Sequence, residues 1–175
     1  MATVEITLRA IREDDLPFLQ ELISDPSDAD SLMWRPFAHP REWQRRWEAG
    51  PLVGDRSGTV LIVNDRQPAG FISWDQHSWF GQSCWSLGIH LDRRLRGQGI
   101  GTRAHELAVD HLFSRTLANR VEAYTEVDNI AERRALEKAG FTIEGTLRGA
   151  GFRDGRWRDG VLYSVVRDQW SVTRG

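Results

Sequence analysis

Apolar and polar positions alternate along several short stretches of the chain, and in other stretches apolar residues recur every three or four positions. Near the start, Val4, Ile6 and Leu8 are separated by polar residues, which predicts a half-buried strand. The pattern predicts seven strands, at residues 4–11, 58–65, 67–76, 84–91, 120–127, 141–148 and 160–168. It predicts four helices, at residues 12–24, 41–50, 100–112 and 129–140. This order predicts a mixed α/β fold with antiparallel hairpins on either side of β-α pairs.

The size and charge of the chain narrow its possible partners. A length of 175 residues with no repeat or linker predicts one domain over residues 1–175. The net charge of -2 and the pI of about 6.2 give no overall field for nucleic acid or an anionic membrane. We expect no signal peptide, and no apolar stretch approaches the roughly 20 residues that span a bilayer. Cys84 is the single cysteine, which excludes an internal disulfide and fits a cytoplasmic location.

The most informative segment is the junction between the strand at 84–91 and the following helix, with the sequence RGQGIG at residues 96–101. A P-loop is excluded because the junction has no lysine, and a dinucleotide fingerprint fails because Thr102 stands where the last glycine belongs. Glycines at 97, 99 and 101 nevertheless let a ligand approach the backbone closely. The unpaired N–H groups of the first helical turn then favour a pyrophosphate.

Four segments together resemble the GNAT N-acetyltransferase superfamily. RGQGIG resembles its cofactor motif, residues 87–95 resemble the fourth strand and the loop after it, and NIAERRALEKAGF at 129–141 resembles its second cofactor motif. Residues 144–170 resemble the C-terminal part of the subgroup that acetylates ribosomal-protein N-termini, polyamines and some antibiotics. The resemblance extends to residues 8–23. It implies a twisted, mostly antiparallel sheet of about seven strands with about four helices, splayed between strands four and five.

The same resemblance implies acetyl-coenzyme A as the cofactor. Its pyrophosphate is expected at the glycine junction, and its pantetheine arm is expected beside the backbone of the fourth strand, like an added strand. The expected cofactor-binding residues are Ile89, His90, Leu91, Arg96, Gly97, Gln98, Gly99, Ile100, Gly101, Thr102, Asn129 and Arg134. Arg133 is a further candidate for the adenosine 3′-phosphate. No spacing of side chains suggests a metal site, so none is predicted.

The sequence departs from the family at three polar positions that often contribute catalytic or substrate-binding side chains. Ser86 replaces a common glutamate, Leu136 replaces a common tyrosine, and Glu132 replaces a serine of the nearest subgroup. A protonated amine must lose a proton before it attacks, which calls for a base. The candidates are Asp75, His77 and His90, with Glu126 as a further polar residue. His105 and His111 are interpreted as structural.

The acceptor is expected to be a primary amine of a small molecule, such as an antibiotic or polyamine, or a protein N-terminus. Trp34, Trp74, Trp79 and Ser86 are the candidate acceptor-binding residues, whereas Trp43 and Trp47 predict one buried helix face. The predicted reaction is direct attack in a ternary complex, and a homodimer is possible. Two alternatives remain open at this point: a silent acyl-coenzyme A sensor and a different nucleotide binder.

Overall fold

The computed structural model describes residues 5–24 and 38–173, and its order of elements follows the predicted one. The strands are β1 (Ile6–Ala10), β2 (Ser57–Asn64), β3 (Gln67–Trp79), β4 (Gln82–Leu91), β5 (Arg120–Glu126), β6 (Thr142–Arg153) and β7 (Arg156–Val166). The helices are α1 (Leu16–Ser24), α2 (Glu42–Glu48), α3 (Ile100–Arg115), α4 (Ile130–Lys138) and α5 (Arg167–Thr173). Short 3-10 turns precede α1 and α3. The helix α5 was not predicted, so the described part of the chain has five α-helices rather than four.

Seven strands of the described residues form one sheet in the order β1-β2-β3-β4-β5-β7-β6. All neighbours are antiparallel except β4 and β5, which confirms the predicted mixed sheet. The turns between β2 and β3, β3 and β4, and β6 and β7 each contain two residues with positive φ, at 65–66, 80–81 and 154–155. Such turns match the twist of antiparallel strands, so the hairpins close tightly.

The strands β4 and β5 pair over only three residues and then separate. Their last pair is Leu87 with Ala123, so residues 88–91 of β4 and 124–126 of β5 lie past the point of pairing. This opening is the splay that the family resemblance implied. Each of the two splayed strands remains paired along its outer side, β4 with β3 and β5 with β7. This pairing keeps the opening in place.

The sheet has a hydrophobic core on each face. On one face α3, α4 and α5 pack on alternate residues of the central strands, including Ile72, Leu87 and Val121. On the other face α1 and α2 pack on Leu61 and Phe71. Adjacent residues of a strand therefore face opposite cores, and the position of a residue along β3, β4 or β5 fixes its face. No helix in the described ranges is long and apolar enough to span a bilayer.

Candidate active site

A cleft of about 380 Å³ lies where the N-termini of α3 and α4 meet the splayed end of β4. It brings together residues that are separated by up to about fifty positions in the chain. Its lining residues are Ile89, His90, Leu91, Arg96, Gly97, Gly99, Gly101, Thr102, Asn129, Ala131, Glu132, Arg134, Ala135 and Lys138. Most of the residues that the sequence predicts for cofactor binding therefore line one cavity.

The floor of the cleft at α3 is a left-handed glycine turn. Gly97 and Gly99 have φ values of 76° and 82°, and no atom lies within 4 Å of the position that a Cβ would occupy at either residue. Gly99 caps the helix, and its carbonyl accepts a hydrogen bond from the N–H of Arg103. The N–H groups of residues 100–102 precede the first intrahelical donor, so they point out of the helix end. An open backbone cradle with outward N–H groups fits a diphosphate.

Two of the predicted cofactor residues contribute no side chain to the cleft. Ile100 is buried in the core at 2% exposure, and the side-chain amide of Gln98 donates to the carbonyl of Arg94. Their backbone remains part of the turn. Gly101 lines the cleft, and a Cβ there would meet Leu91 Cδ1 at 3.4 Å, an ordinary van der Waals distance.

The wall of the cleft at α4 was only partly predicted. Asn129 caps α4 by accepting from the N–H of Glu132, and its amide donates to Thr125 Oγ1 at 3.0 Å. Arg134 lines the cleft, whereas the Arg133 guanidinium donates to the Val127 carbonyl and to Tyr163. Sequence reasoning missed the cleft roles of Ala131, Ala135 and Lys138. Their spacing of four and three residues, on the same helix face as Arg134, is the signal that could have found them.

Glu132 also lines the cleft and is paired with a fully buried imidazole. Its Oε1 lies 3.2 Å from Nε2 of His105, which has 0% exposure, and Nδ1 of His105 lies 2.8 Å from the carbonyl of Gly101. Both ring nitrogens thus face an oxygen acceptor. Burial alone would lower the pKa of His105, but the Glu132 charge and the two hydrogen bonds outweigh it and raise the pKa. The two side chains therefore lie within ion-pair distance of each other beside the cleft, and the raised pKa favours the protonated ring.

The opposite face of the sheet carries a second polar group of side chains next to the splay. Asp75, Ser86 and Glu122 lie side by side on β3, β4 and β5, one residue pair before pairing ends. Glu122 is fully buried. His77 and Cys84, opposite each other on β3 and β4, lie two residues further from the splay.

Glu122 accepts hydrogen bonds from four side chains. The donors are Arg120 Nε at 2.6 Å, Tyr124 Oη at 2.6 Å, Trp79 Nε1 at 3.1 Å and His77 Nε2 at 3.0 Å. Burial opposes ionisation of the carboxyl, but the hydrogen bonds from Tyr124, Arg120 and Trp79 outweigh it, so the pKa of Glu122 is lowered. Burial and the nearby Glu122 charge raise the pKa of Cys84 to about 12, which keeps the thiol protonated.

A family model for the acetyltransferase (GNAT) domain matches residues 5–142. The chain belongs to the GNAT family. This confirms the predicted family and the predicted class of enzyme, an acetyltransferase that uses acetyl-coenzyme A. The glycine turn, the α4 wall and the splay described above all belong to this one GNAT domain.

Named relatives agree with the family match. The GNAT chain is 36% identical to a probable N-acetyltransferase, YjcK, from Bacillus subtilis over 46% of this chain and 44% of that protein. It is 25% identical to the ribosomal-protein-serine acetyltransferase of Escherichia coli over 93% of each. Its fold matches a Vibrio cholerae spermidine N-acetyltransferase, solved with CoA and spermine, at a TM-score of 0.83 and 17% identity, over 95% of this chain and 98% of that one.

Several residues predicted for the acceptor site or for catalysis have other positions in this GNAT domain. Trp74 lies on the α3 face with 4% exposure and packs on His111, so its role is in the core rather than in acceptor binding. His90 is also buried and stacks on Phe71 with ring planes 7° apart. Trp79 is half exposed, at the end of β3 away from the splay. Trp34 lies outside the described residues.

The remaining aromatic and acidic predictions concern α2 and β5. Trp43 is fully buried and Trp47 packs beside it, as the predicted helix face requires. Glu126 lies past the splay, and Arg153 binds both of its oxygens, at 2.9 and 2.7 Å. This arginine lowers the pKa of Glu126 and neutralises its charge. Glu126 is therefore poorly suited to take up a proton.

One group of side chains has the composition of a metal site. His77, Cys84 and Glu122 offer a nitrogen, a sulfur and an oxygen that lie within 4.8 Å of one another. The oxygens of Glu122 already accept from four donors, one of them a guanidinium. A cation would have to displace these donors and lie beside Arg120. We therefore interpret the group as a hydrogen-bond network.

Proposed function

We propose that this GNAT domain transfers an acetyl group from acetyl-coenzyme A to a primary amine of a small molecule or of a protein N-terminus. The observation that carries the proposal is the continuity of the glycine turn with the splay between β4 and β5. A diphosphate at the turn places an extended arm along β4, and the arm then ends at an opening that reaches the opposite face. One named relative is an N-acetyltransferase of spermidine, a polyamine, and the other is a ribosomal-protein-serine acetyltransferase.

Within this proposal the glycine turn and α4 hold the cofactor. The N–H groups of residues 100–102 bind the pyrophosphate, and the helix dipole adds about 0.3–1 kcal/mol of favourable interaction. Arg96, Arg134 and Lys138 add positive charge around the cleft. The backbone of residues 89–91 on β4 pairs with the amide groups of the arm, since β4 has no hydrogen bonds to β5 along this stretch.

The transfer requires a neutral amine and a donor for the acetyl carbonyl oxygen. An alkylamine with a pKa near 10.4 is almost fully protonated at pH 7, which costs roughly 4–5 kcal/mol if nothing removes the proton. The backbone N–H groups at residues 89–91 are the proposed donors to the oxygen. Bound acetyl-coenzyme A supplies the activated acetyl group as a thioester. Direct attack in a ternary complex needs no acylated side chain, and Cys84 is buried with a raised pKa, unsuited to that role.

Release of coenzyme A thiol with a panel of amines tests the function. The panel contains polyamines, an aminoglycoside and peptides with free N-termini, each compared with the same compound after acetylation. We expect release above the hydrolysis background for at least one free amine. Tight binding of acetyl-coenzyme A without release for any amine would contradict the proposal and indicate a sensor. Light scattering of the same sample tests the further proposals of a homodimer, and fractionation of cells tests the cytoplasmic location.

A further inference from the structure

Glu122 occupies a position at the base of the splay that no sequence motif indicates. It faces away from α3 and α4, on the side from which an acceptor reaches the splay. Its strand neighbour is Ser86, and the next pair along, Leu87 with Ala123, is the last before β4 and β5 separate. Glu122 therefore lies about two residues, roughly 7 Å along the strand, from the start of the opening at Gly88, and His77, opposite Cys84, lies two residues further away.

The hydrogen bond between Glu122 and His77 fixes which nitrogen of the imidazole is basic. His77 Nε2 lies 3.0 Å from Glu122 Oε2. An ionised carboxylate only accepts hydrogen bonds, so Nε2 must carry the hydrogen. The lone pair of a neutral His77 is then on Nδ1. About one third of the His77 side chain is exposed, so the ring can exchange a proton with water or with a ligand.

The other contacts of Glu122 hold this arrangement rigid. Tyr124 donates to the same oxygen that His77 contacts, while Arg120 and Trp79 donate to Oε1. Trp79 also packs edge-on against His77, with 6.0 Å between ring centroids. The carboxylate cannot turn without breaking several charge-assisted hydrogen bonds. A buried carboxylate that orients an imidazole through one nitrogen is the arrangement that enzymes use to present the other nitrogen as a base.

We propose that His77 is the general base of the transfer and that Glu122 is the residue that positions it. The inference rests on the proposed function. A bond forms between the acceptor nitrogen and the acetyl carbon, the carbon–sulfur bond breaks with its electron pair on sulfur, and the nitrogen gives its proton through a chain of water molecules to Nδ1 of His77. Several waters are needed because His77 lies opposite Cys84, four residues, or roughly 13 Å along the strand, from Gly88. His77 then releases the proton to solvent at its exposed edge.

The first experiment compares His77→Gln with two matched variants. His111→Gln makes the same change on α3, on the opposite face of the sheet, and Asp75→Asn changes the neighbouring candidate base on the acceptor face. We expect His77→Gln to lower kcat/KM about a hundredfold at pH 7, a typical loss for a general base. The deficit should shrink toward pH 10, where the amine loses its proton unaided. His111→Gln should keep the wild-type profile, and Asp75→Asn shows whether the pH-dependent loss belongs to the neighbouring carboxylate instead.

The outcomes of this comparison distinguish a failure of the His77 assignment from a failure of the proposed acetyl transfer. Full activity of His77→Gln at pH 7, or a pH-dependent loss that appears in Asp75→Asn instead, overturns the assignment of His77 and leaves the proposed function in place. A loss in His77→Gln that is equal at every pH also overturns it, because a structural effect would not depend on the charge of the amine. Absence of thiol release by the wild-type protein overturns both proposals.

The second experiment tests the positioning role without measuring turnover. Long-range ¹H–¹⁵N correlation spectra of the histidine rings distinguish the two neutral tautomers, and the spectrum of His77→Gln assigns the His77 signals. We expect His77 of the wild type to carry its hydrogen on Nε2. Glu122→Gln should shift the population toward Nδ1–H, because the new amide can donate to Nε2. Wild-type His77 protonated on Nδ1 instead would overturn the positioning role of Glu122.

Discussion

At the scale of single residues, the pair of His105 and Glu132 determines the charge beside the cofactor cleft. A carboxylate that faces the site of a polyanionic cofactor would weaken its binding, unless a cation offsets the carboxylate. Protonated His105 is the cation in position to do so, since both of its ring nitrogens face acceptors and its raised pKa favours the protonated form. The sequence identified His105 only as a structural helix residue. Its partner could not be inferred, because 27 positions separate the two residues and only the packing of α3 on α4 brings them together.

This pair predicts how coenzyme A affinity depends on pH. As the pH rises through the raised pKa of His105, the imidazolium loses its proton, Glu132 is no longer compensated, and affinity falls. His105 likewise stabilises the fold below its unfolded pKa of about 6.5, and this contribution is lost as the pH rises through the folded value. His105→Asn should weaken binding about tenfold at pH 7, equivalent to about 1.4 kcal/mol, by calorimetry.

Two further variants separate the charge effect from damage to packing. Glu132→Gln should bind at least as well as the wild type, with a flatter pH profile. The double variant should recover most of the affinity that His105→Asn alone loses. Equal losses in the single and double variants would show that His105 acts through packing.

At the scale of elements, the sequence was sufficient to place the strands but not always their ends. The sequence predicts turns at residues 64–67 and at the Asp-Gly pairs 154–155 and 159–160; the structure has tight hairpins at the first two, whereas the pair at 159–160 lies inside β7. The strands β3 and β6 run past their predicted ends, and β4 and β7 begin before their predicted starts, because hairpin pairing continues where the apolar alternation stops. The strand β7 ends at Val166, two residues before its predicted end, where α5 begins. The helix α5 is too short to show a period, and it forms by packing Trp170 into the core.

Gly99 in the glycine turn can be compared with a matched glycine, Gly155, in another turn. Gly155 has a similar φ of 75°, and a Cβ there would also meet open space, but it lies in the turn between β6 and β7. Gly99→Ala and Gly155→Ala should each reduce the free energy of unfolding by about 1–2 kcal/mol, the cost of a left-handed alanine. Only Gly99→Ala should weaken coenzyme A binding, by about tenfold. Equal affinity in both variants would place the diphosphate elsewhere.

At the scale of the whole molecule, the two faces of the sheet have separate cores and different neighbouring polar residues. The α3 and α4 face carries the core beside the cofactor cleft, and the α1 and α2 face carries the polar residues that we propose for the acceptor side. Alternation along β3 predicts that neighbours face opposite sides, but the sequence alone did not reveal which side each residue faces. Trp74 is predicted for the acceptor because it flanks a loop, but its side chain lies in the α3 core.

This division predicts that the stability of one face can change while the other still binds its ligand. Leu19 on α1 is fully buried, so Leu19→Ala should lower the free energy of unfolding by about 2–5 kcal/mol, measured by urea denaturation. Leu117→Ala, at a fully exposed leucine, should change it by less than about 0.5 kcal/mol. Both variants should bind coenzyme A normally at 20 °C while folded. Weaker binding by folded Leu19→Ala would show that the two faces are coupled.

Lys138, on the α4 wall of the cleft, is the one lysine in the sequence, and its side chain is exposed. It therefore provides a built-in reporter, because an amine-selective reagent can modify a side-chain amine at this single position. Protection of Lys138 from such a reagent, followed by mass spectrometry of its peptide, would measure ligand occupancy without any tag or dye. The scarcity of lysine also means that any acetyl group found on a lysine of this protein marks the entrance of its own cofactor cleft.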